Sequence, residues 1–293
     1  MKKIGLTLLL LFGLNACIQQ PKDDGKIHIV VSFYILEDFT EKIGGDLVNV
    51  INLTQGGGEP HEFEPSTQDM KILTEAKHIM ILGNDFEPWF NDIYDNIKSN
   101  DVDVLVLSDG FETLIDQNTN QIDPHIWTSI TNAQSMFSII KDYLIELDPT
   151  HEPTYTQNYE LYNQEFTQLK AEYTDAIKNR TRNEFVTNHA AFGYLAQEFN
   201  LTMIPIMGLE PDAEPSATIM AQIIDVVKAY KIPYILYEDE ANTDIAKTIA
   251  KETGALTGVL RPIESLNSAQ VASNEDYFSL MRENLEWLKK ALN

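Results

Sequence analysis

The chain has 293 residues, of which 43% are hydrophobic, enough apolar content for one large or two medium folded domains. Its 21 basic and 45 acidic side chains give a formal charge of −24, which disfavours nucleic acid as a partner because phosphate binding needs basic side chains. The negative charge would concentrate cations near the surface, although solubility explains it equally well. We therefore expect an ordered protein that does not bind nucleic acid.

The N-terminus has the pattern of a bacterial lipoprotein signal. Two lysines precede an apolar run at 4–14, which has the length of a signal-peptide core and is too short to span a bilayer. A Leu-Asn-Ala-Cys string ending at Cys17 looks like a lipobox, in which the peptide is cut before the cysteine and that cysteine is lipidated. We predict a signal peptide at 1–16 and a lipidated, flexible tether at 17–25. Cys17 is the only cysteine, so the mature protein would have no disulfide and no thiolate metal site.

From Lys26 onward, apolar runs alternate with amphipathic segments, a pattern typical of α/β architecture with parallel sheets. In the first part of the chain we expect strands at 27–33, 47–53, 78–82 and 102–107. We expect helices at 36–43, from Ser66 in a capping-box-like start, and at 89–97. These elements predict an N-terminal lobe at 26–145.

The middle of the chain has a different character. Residues 133–180 contain no glycine and almost no strand signal, and their apolar residues recur at helical spacing with a break near Pro149. We predict a long rigid linking helix within 146–181.

The strand and helix alternation then returns. We expect strands at 184–187, 203–207, 234–238 and near Val259, and helices at 191–199, 216–230, up to Thr253 and from Asp276. They predict a C-terminal lobe at 182–293. The predicted fold is therefore α/β, with two lobes that each contain a mostly parallel sheet flanked by helices.

The six histidines divide into two groups. Three have ready structural explanations within or beside predicted elements: His28, His78 and His151. Three follow predicted strands next to turn-forming or polar residues: His61, His125 and His189. In open α/β sheets, ligands bind outside the carboxyl ends of the strands. With two of these loops in the first lobe and one in the second, we expect the second group around a cleft between the lobes.

The chemistry of these side chains indicates a transition metal. Neutral imidazole suits zinc, copper, nickel and iron, whereas calcium and magnesium prefer oxygen ligands. A carboxylate is the natural fourth ligand of a tetrahedral zinc ion, and spacing alone does not choose among the candidates. These candidates are Glu264, Glu59, Glu238 and Glu210. Because binding requires neutral imidazoles, metal affinity should fall below about pH 6.5.

The same residues lie in motifs that resemble the zinc- and manganese-binding solute-binding proteins of ABC importers, the cluster A-I family. The matching strings are Gly-Glu-Pro-His-Glu-Phe-Glu-Pro-Ser at 58–66, Asp-Pro-His-Ile-Trp at 123–127, Asn-His-Ala-Ala-Phe-Gly-Tyr-Leu at 188–195, and shorter ones at 214–216, 237–238 and 251–255. The resemblance implies two α/β lobes joined by one rigid helix, with the metal at the lobe interface. It also implies that His61, His125 and His189 are ligands, and a histidine at the third position is typical of zinc binders.

The fourth ligand is where the chain departs from many members of this family. Many relatives carry an aspartate before the proline of the last strand, and here that position is Arg261. The following Pro-Ile-Glu string resembles the Pro-Leu-Glu segment of some zinc lipoproteins, whose glutamate completes the site. We therefore select Glu264, with Glu59 or water as alternatives. The histidine-rich loop of many zinc relatives is missing, since 109–121 is short and contains no histidine.

The resemblance implies a function outside the cytoplasm. It implies high-affinity capture of zinc as cargo by a lipid-anchored, monomeric protein at the cell membrane, and delivery to the permease of an ABC importer. The alternatives are a manganese-specific member of the same family, a zinc-dependent hydrolase and a surface adhesin. The chain has no His-Glu-x-x-His helix, and Glu264 as a ligand would close the position that a catalytic water needs. We therefore expect a binding protein, not an enzyme.

Overall fold

The computed structural model describes residues 24–55, 59–99, 101–116, 119–209, 215–238 and 243–293. The predicted signal peptide, Cys17, most of the tether and Glu210 lie outside these residues. Within the described ranges, no helix is both long and apolar enough to cross a membrane.

The first lobe contains a four-stranded sheet in which every pair of neighbouring strands is parallel. Its strands are β1 Ile27–Val31, β2 Val48–Asn52, β3 His78–Ile81 and β4 Asp103–Val106, in the order β2-β1-β3-β4. Its helices are α1 Tyr34–Gly44, α2 Thr67–Glu75 and α3 Pro88–Ser99. Successive side chains of β1 point to opposite faces, so that Ile29 and Val31 enter one apolar core and Val30 enters another.

Two helices follow the first sheet. Helix α4 spans Ile130–Leu147, a short 3-10 turn covers Pro149–His151, and α5 spans Glu152–Ile177. Helix α5 packs against α1 and α4, and it also packs against the C-terminal helix α10 (Tyr277–Ala291). Its Tyr173 hydroxyl donates a hydrogen bond of 2.6 Å to the carbonyl of Met281 in α10. The long helix therefore has contacts with both halves of the molecule.

The second lobe repeats the architecture of the first. Its strands are β5 Glu184–Thr187, β6 Thr202–Pro205, β7 Tyr234–Tyr237 and β8 Leu256–Val259, all parallel, in the order β6-β5-β7-β8. The helices before α10 are α6 Gly193–Glu198, α7 Ala217–Tyr230, α8 Asp244–Thr253 and α9 Ser268–Ala272. The prediction of two parallel-sheet α/β lobes with a long helix is confirmed.

The two lobes share one apolar core. Phe39 of α1, Phe166 of α5 and Tyr277 of α10 are fully buried and contact one another, with ring centroids 5.3–5.8 Å apart. In each sheet the strand order reverses between the first and the third strand, and ligands bind at such reversal points in open α/β sheets. The fold thus offers two of these points, one in each lobe.

Candidate metal centre

Four side chains from separate parts of the chain converge at one place. They are His61, His125, His189 and Glu264, and one ligand atom from each lies within 4.8 Å of all the others. Their side chains are 7%, 0%, 0% and 5% exposed, respectively, so the cluster is almost removed from water. All four are residues that the sequence analysis predicts as metal ligands.

Five of the six separations between the four atoms suit a tetrahedral ion, and all six are within 4.8 Å. Nε2 of His125 lies 3.1 Å from Nε2 of His61 and 3.3 Å from Nε2 of His189. Oε1 of Glu264 lies 3.4, 3.6 and 3.8 Å from the Nε2 atoms of His125, His61 and His189, respectively. Ligand atoms at the corners of a tetrahedron, each about 2.0 Å from zinc, are about 3.3 Å apart. The cluster is therefore close to the size that a zinc ion requires.

Two of the imidazoles are oriented by carboxylates that bind the ring nitrogen facing away from the cluster. Asp123 Oδ1 accepts hydrogen bonds from His125 Nδ1 at 2.8 Å and from the His125 backbone N–H at 2.9 Å. Glu238 Oε1 pairs with His189 Nδ1 in the same way. With the protons on Nδ1, the lone pairs of both Nε2 atoms point into the cluster. Glu238, a candidate ligand in the sequence, therefore lies behind His189.

His61 is held differently. It lies in a 3-10 turn at Pro60–Glu62 that follows β2, and its backbone N–H donates to Glu59 Oε1 at 3.2 Å. Its ring meets the ring of Phe86 edge-on, with centroids 4.7 Å apart. Glu59, the alternative fourth ligand, thus caps the turn that carries His61.

The electrostatics of the cluster favour a bound cation. Burial disfavours the charged form of His125, but the hydrogen bond with Asp123 and the nearby carboxylate of Glu264 outweigh it and raise the pKa of His125 to about 9. Burial also opposes the charged form of Glu264, but the nearby imidazoles, His61 foremost, hold the pKa of its carboxyl well below the usual value. Oε1 of Glu264 is buried without a hydrogen bond among the described residues. A buried carboxylate oxygen is costly unless a positive charge offsets it.

The loop that carries His125 is fixed to the second lobe, although it precedes α4 in the chain. The hydroxyl of Tyr194 in α6 donates to the carbonyl of Asp123 at 2.9 Å. Trp127 Nε1 donates to the carbonyl of Pro262, after β8, at 2.7 Å. His125, His189 and Glu264 therefore lie on segments that hydrogen bonds connect to one another. The order of these segments in the chain did not predict this connection.

The other three histidines lie outside the cluster and have structural partners, as the sequence suggested. Each pairs with a nearby carboxylate: His28 with Asp24, His78 with Asp103 and His151 with Asp148.

A family model described as ZnuA, zinc-uptake complex component A, periplasmic, matches residues 29–291. The match covers both lobes, the long helix and all four clustered side chains. The chain belongs to the ZnuA family. The resemblance found in the sequence motifs is thereby confirmed.

Two curated relatives of this ZnuA-family chain have informative names. The zinc-binding lipoprotein AdcA of Streptococcus pneumoniae strain R6 is 36% identical, and the alignment covers 99% of this chain and 61% of AdcA. The high-affinity zinc uptake system protein ZnuA of Bacillus subtilis is 30% identical, with 91% of this chain and 88% of the relative covered. The chain thus spans about three fifths of the length of the AdcA proteins it matches.

Solved structures of similar proteins have the same fold. The Zn(II)-bound ZnuA-like domain of Streptococcus pneumoniae AdcA has a TM-score of 0.82 at 34% identity, covering 92% of this chain and 99% of that domain. The laminin binding protein Lmb of Streptococcus agalactiae, described as bifunctional with adhesin and metal transporting activity, has a TM-score of 0.84 at 34% identity, covering 92% of this chain and 100% of Lmb.

Proposed function

We propose that this protein captures zinc outside the cytoplasm at high affinity and delivers it to the membrane permease of an ABC importer. The observation that carries the proposal is the desolvated cluster of three imidazoles and one carboxylate, whose ligand atoms all lie within 4.8 Å of one another. Membership of the ZnuA family supports the same role. In this proposal His61, His125, His189 and Glu264 are the four zinc ligands, and the protein acts as a monomer.

The donor set favours zinc over manganese. Manganese prefers carboxylate, carbonyl and water oxygens in an octahedral arrangement, whereas this cluster offers three nitrogens and one oxygen. Calcium and magnesium are disfavoured for the same reason. The relatives whose names include zinc agree with this choice.

In zinc capture, the ion would move from water into a pocket whose ligand side chains are already oriented. Asp123 and Glu238 hold two imidazoles with their lone pairs directed inward, so little ordering is needed when the ion arrives. His61 has the most exposed of the four side chains, at 7%. We therefore place the entry of the ion on the His61 side.

A zinc hydrolase is the alternative from another functional class. A catalytic zinc site keeps one position for water, whereas the Glu264 oxygen, 3.4–3.8 Å from the three imidazole nitrogens, would take that position on a bound zinc. The geometry therefore supports binding without turnover.

We assign the segments of the chain as the sequence predicts them. The signal peptide would be 1–16 and the lipidated tether 17–25, followed by lobes at 26–145 and 182–293 that are joined through 146–181. Lipidation at Cys17 would place the protein on the outer side of the cell membrane. In cells, a Cys17→Ala variant should leave the membrane fraction; retention there would contradict the anchor.

Metal competition tests the proposed function. The full chain is stripped of metal and given equal concentrations of zinc and manganese, and bound ions are counted by native mass spectrometry. We expect one zinc per wild-type chain and much weaker binding in His189→Ala. His151→Ala is the matched control, because His151 is partly exposed and paired with Asp148 outside the cluster. Stoichiometric manganese, or no stoichiometric metal, would overturn the proposal.

A further inference from the structure

Glu264 follows a residue with an unusual backbone conformation. Ile263 has a φ of 65°, in the left-handed region that β-branched side chains rarely adopt. Its side chain is 3% exposed and lies in the core that the two lobes share. Such a conformation persists only where surrounding contacts enforce it, and it often marks a functional position.

Side chains from two other parts of the chain hold the backbone immediately before Ile263. The side chain of Asn284 in α10 makes two hydrogen bonds with the backbone of Arg261. Asn284 Oδ1 accepts from the Arg261 N–H at 2.8 Å, and Asn284 Nδ2 donates to the Arg261 carbonyl at 2.7 Å. Trp127 Nε1 donates to the carbonyl of the next residue, Pro262, at 2.7 Å. Asn284 is 2% exposed, so both of its hydrogen bonds are shielded from water.

The side chain of Arg261 adds a further attachment. Its Nη1 lies 2.5 Å from Glu283 Oε2, which also belongs to α10. The start of the turn is therefore fixed to α10 through both its backbone and its side chain. The end of the turn is the residue whose carboxylate faces the three imidazoles.

We propose that Asn284 is a positioning residue for the metal, which holds the turn at 261–264 in its left-handed form and so fixes the distance of Glu264 Oε1 from the imidazoles. This inference rests on the proposed function, because it takes Glu264 as the fourth zinc ligand. Without the hydrogen bonds of Asn284, the turn relaxes. The Glu264 carboxylate can then move away from the metal or bind it through both oxygens. A fixed single oxygen favours four-coordinate zinc, whereas a freer carboxylate suits the larger shell of manganese.

The first test compares two asparagine variants. Asn284→Asp keeps the size of the side chain and an acceptor for the Arg261 N–H, but it removes the donor to the Arg261 carbonyl. Asn158→Asp is the matched control, since Asn158 Nδ2 donates to the carbonyl of Ile43 at 2.8 Å, away from the metal cluster. We expect zinc affinity about 10-fold weaker in Asn284→Asp, with a lower ratio of zinc to manganese affinity. Asn158→Asp should bind both metals like the wild type.

The cobalt(II) absorption spectrum separates positioning from mere structural support. The proposal is supported if the absorption bands of tetrahedral cobalt weaken in Asn284→Asp. Asn158→Asp should keep these bands at full strength, even if its melting temperature falls as much as that of Asn284→Asp. Unchanged zinc affinity, metal preference and cobalt spectrum in a folded Asn284→Asp would overturn it. If the wild type itself binds no zinc, the proposed function fails instead.

A wild-type measurement keeps the proposal testable if Asn284→Asp does not fold. Because Asn284 holds the turn independently of the metal, the amide hydrogen of Arg261 should be protected from exchange both with and without zinc. Protection that appears only with zinc would mean that the metal orders the turn, and the proposal would be wrong.

Discussion

Glu87 provides a quantitative test of the first lobe beside the metal cluster. Its carboxylate is 5% exposed and accepts backbone N–H hydrogen bonds from Leu82 at 2.8 Å and Gly83 at 2.9 Å. Burial outweighs these bonds and raises the pKa of Glu87 to about 7. The neighbouring Phe86 packs against His61, so this buried carboxyl belongs to the support of one proposed ligand.

The sign of the pH effect follows from the raised pKa. The folded chain keeps the Glu87 proton at pH values where the unfolded chain, with a carboxyl of pKa 4.5, has lost it. The stability that this proton confers is complete below pH 4.5 and is lost as the pH rises through about 7. Between pH 5 and pH 8 the loss is about 2.5 kcal/mol.

Urea unfolding of the metal-free protein measures this quantity. Glu87→Gln stays neutral at every pH, so its unfolding free energy relative to the wild type should rise by about 2.5 kcal/mol from pH 5 to pH 8. Glu75→Gln is the control, because Glu75 has a side chain that is 69% exposed and should show no such change. Parallel pH profiles for the wild type and Glu87→Gln would refute the reasoning.

Three further predictions concern the metal cluster and a buried ion pair within α1. Glu238→Gln should weaken zinc binding by about 10-fold or more in a competition titration, because the partner of His189 Nδ1 loses its charge. Lys42→Met should lower the free energy of unfolding by about 3 kcal/mol, since Lys42 pairs with buried Asp38 at 2.5 Å, whereas the exposed Lys71→Met should change it little. Zinc titrations at pH 5.5 and 7.5 should give weaker binding at the lower pH, because protons compete for the imidazole nitrogens.

The fold was predictable from the sequence because hydrophobic periodicity and helix-capping residues indicate the same strands and helices. Alternation of strands and helices gave both sheets, and the Ser66–Asp69 capping box is present at the start of α2. The long helix ends at Ile177, close to its predicted end. The contact of α5 with both α1 and α10 was not predictable, because it depends on side chains that lie far apart in the chain.

The candidate site was predictable where a motif lies on the loop that follows a strand. His61, His125 and His189 follow strands, and the structure brings them together with Glu264. Spacing did not distinguish Glu264 from Glu238, because that choice depends on which carboxylate faces the Nε2 side of the imidazoles. The role of Asn284 was also hidden, since its partner Arg261 lies 23 positions earlier.

The coordination of zinc in the loaded full chain is the most direct test of the central claim. X-ray absorption at the zinc edge reports the number, type and distance of the atoms bound to the ion. We expect four ligands, three imidazole nitrogens at about 2.0–2.1 Å and one carboxylate oxygen at about 2.0–2.2 Å. A six-coordinate shell, or fewer than three imidazoles, would contradict it.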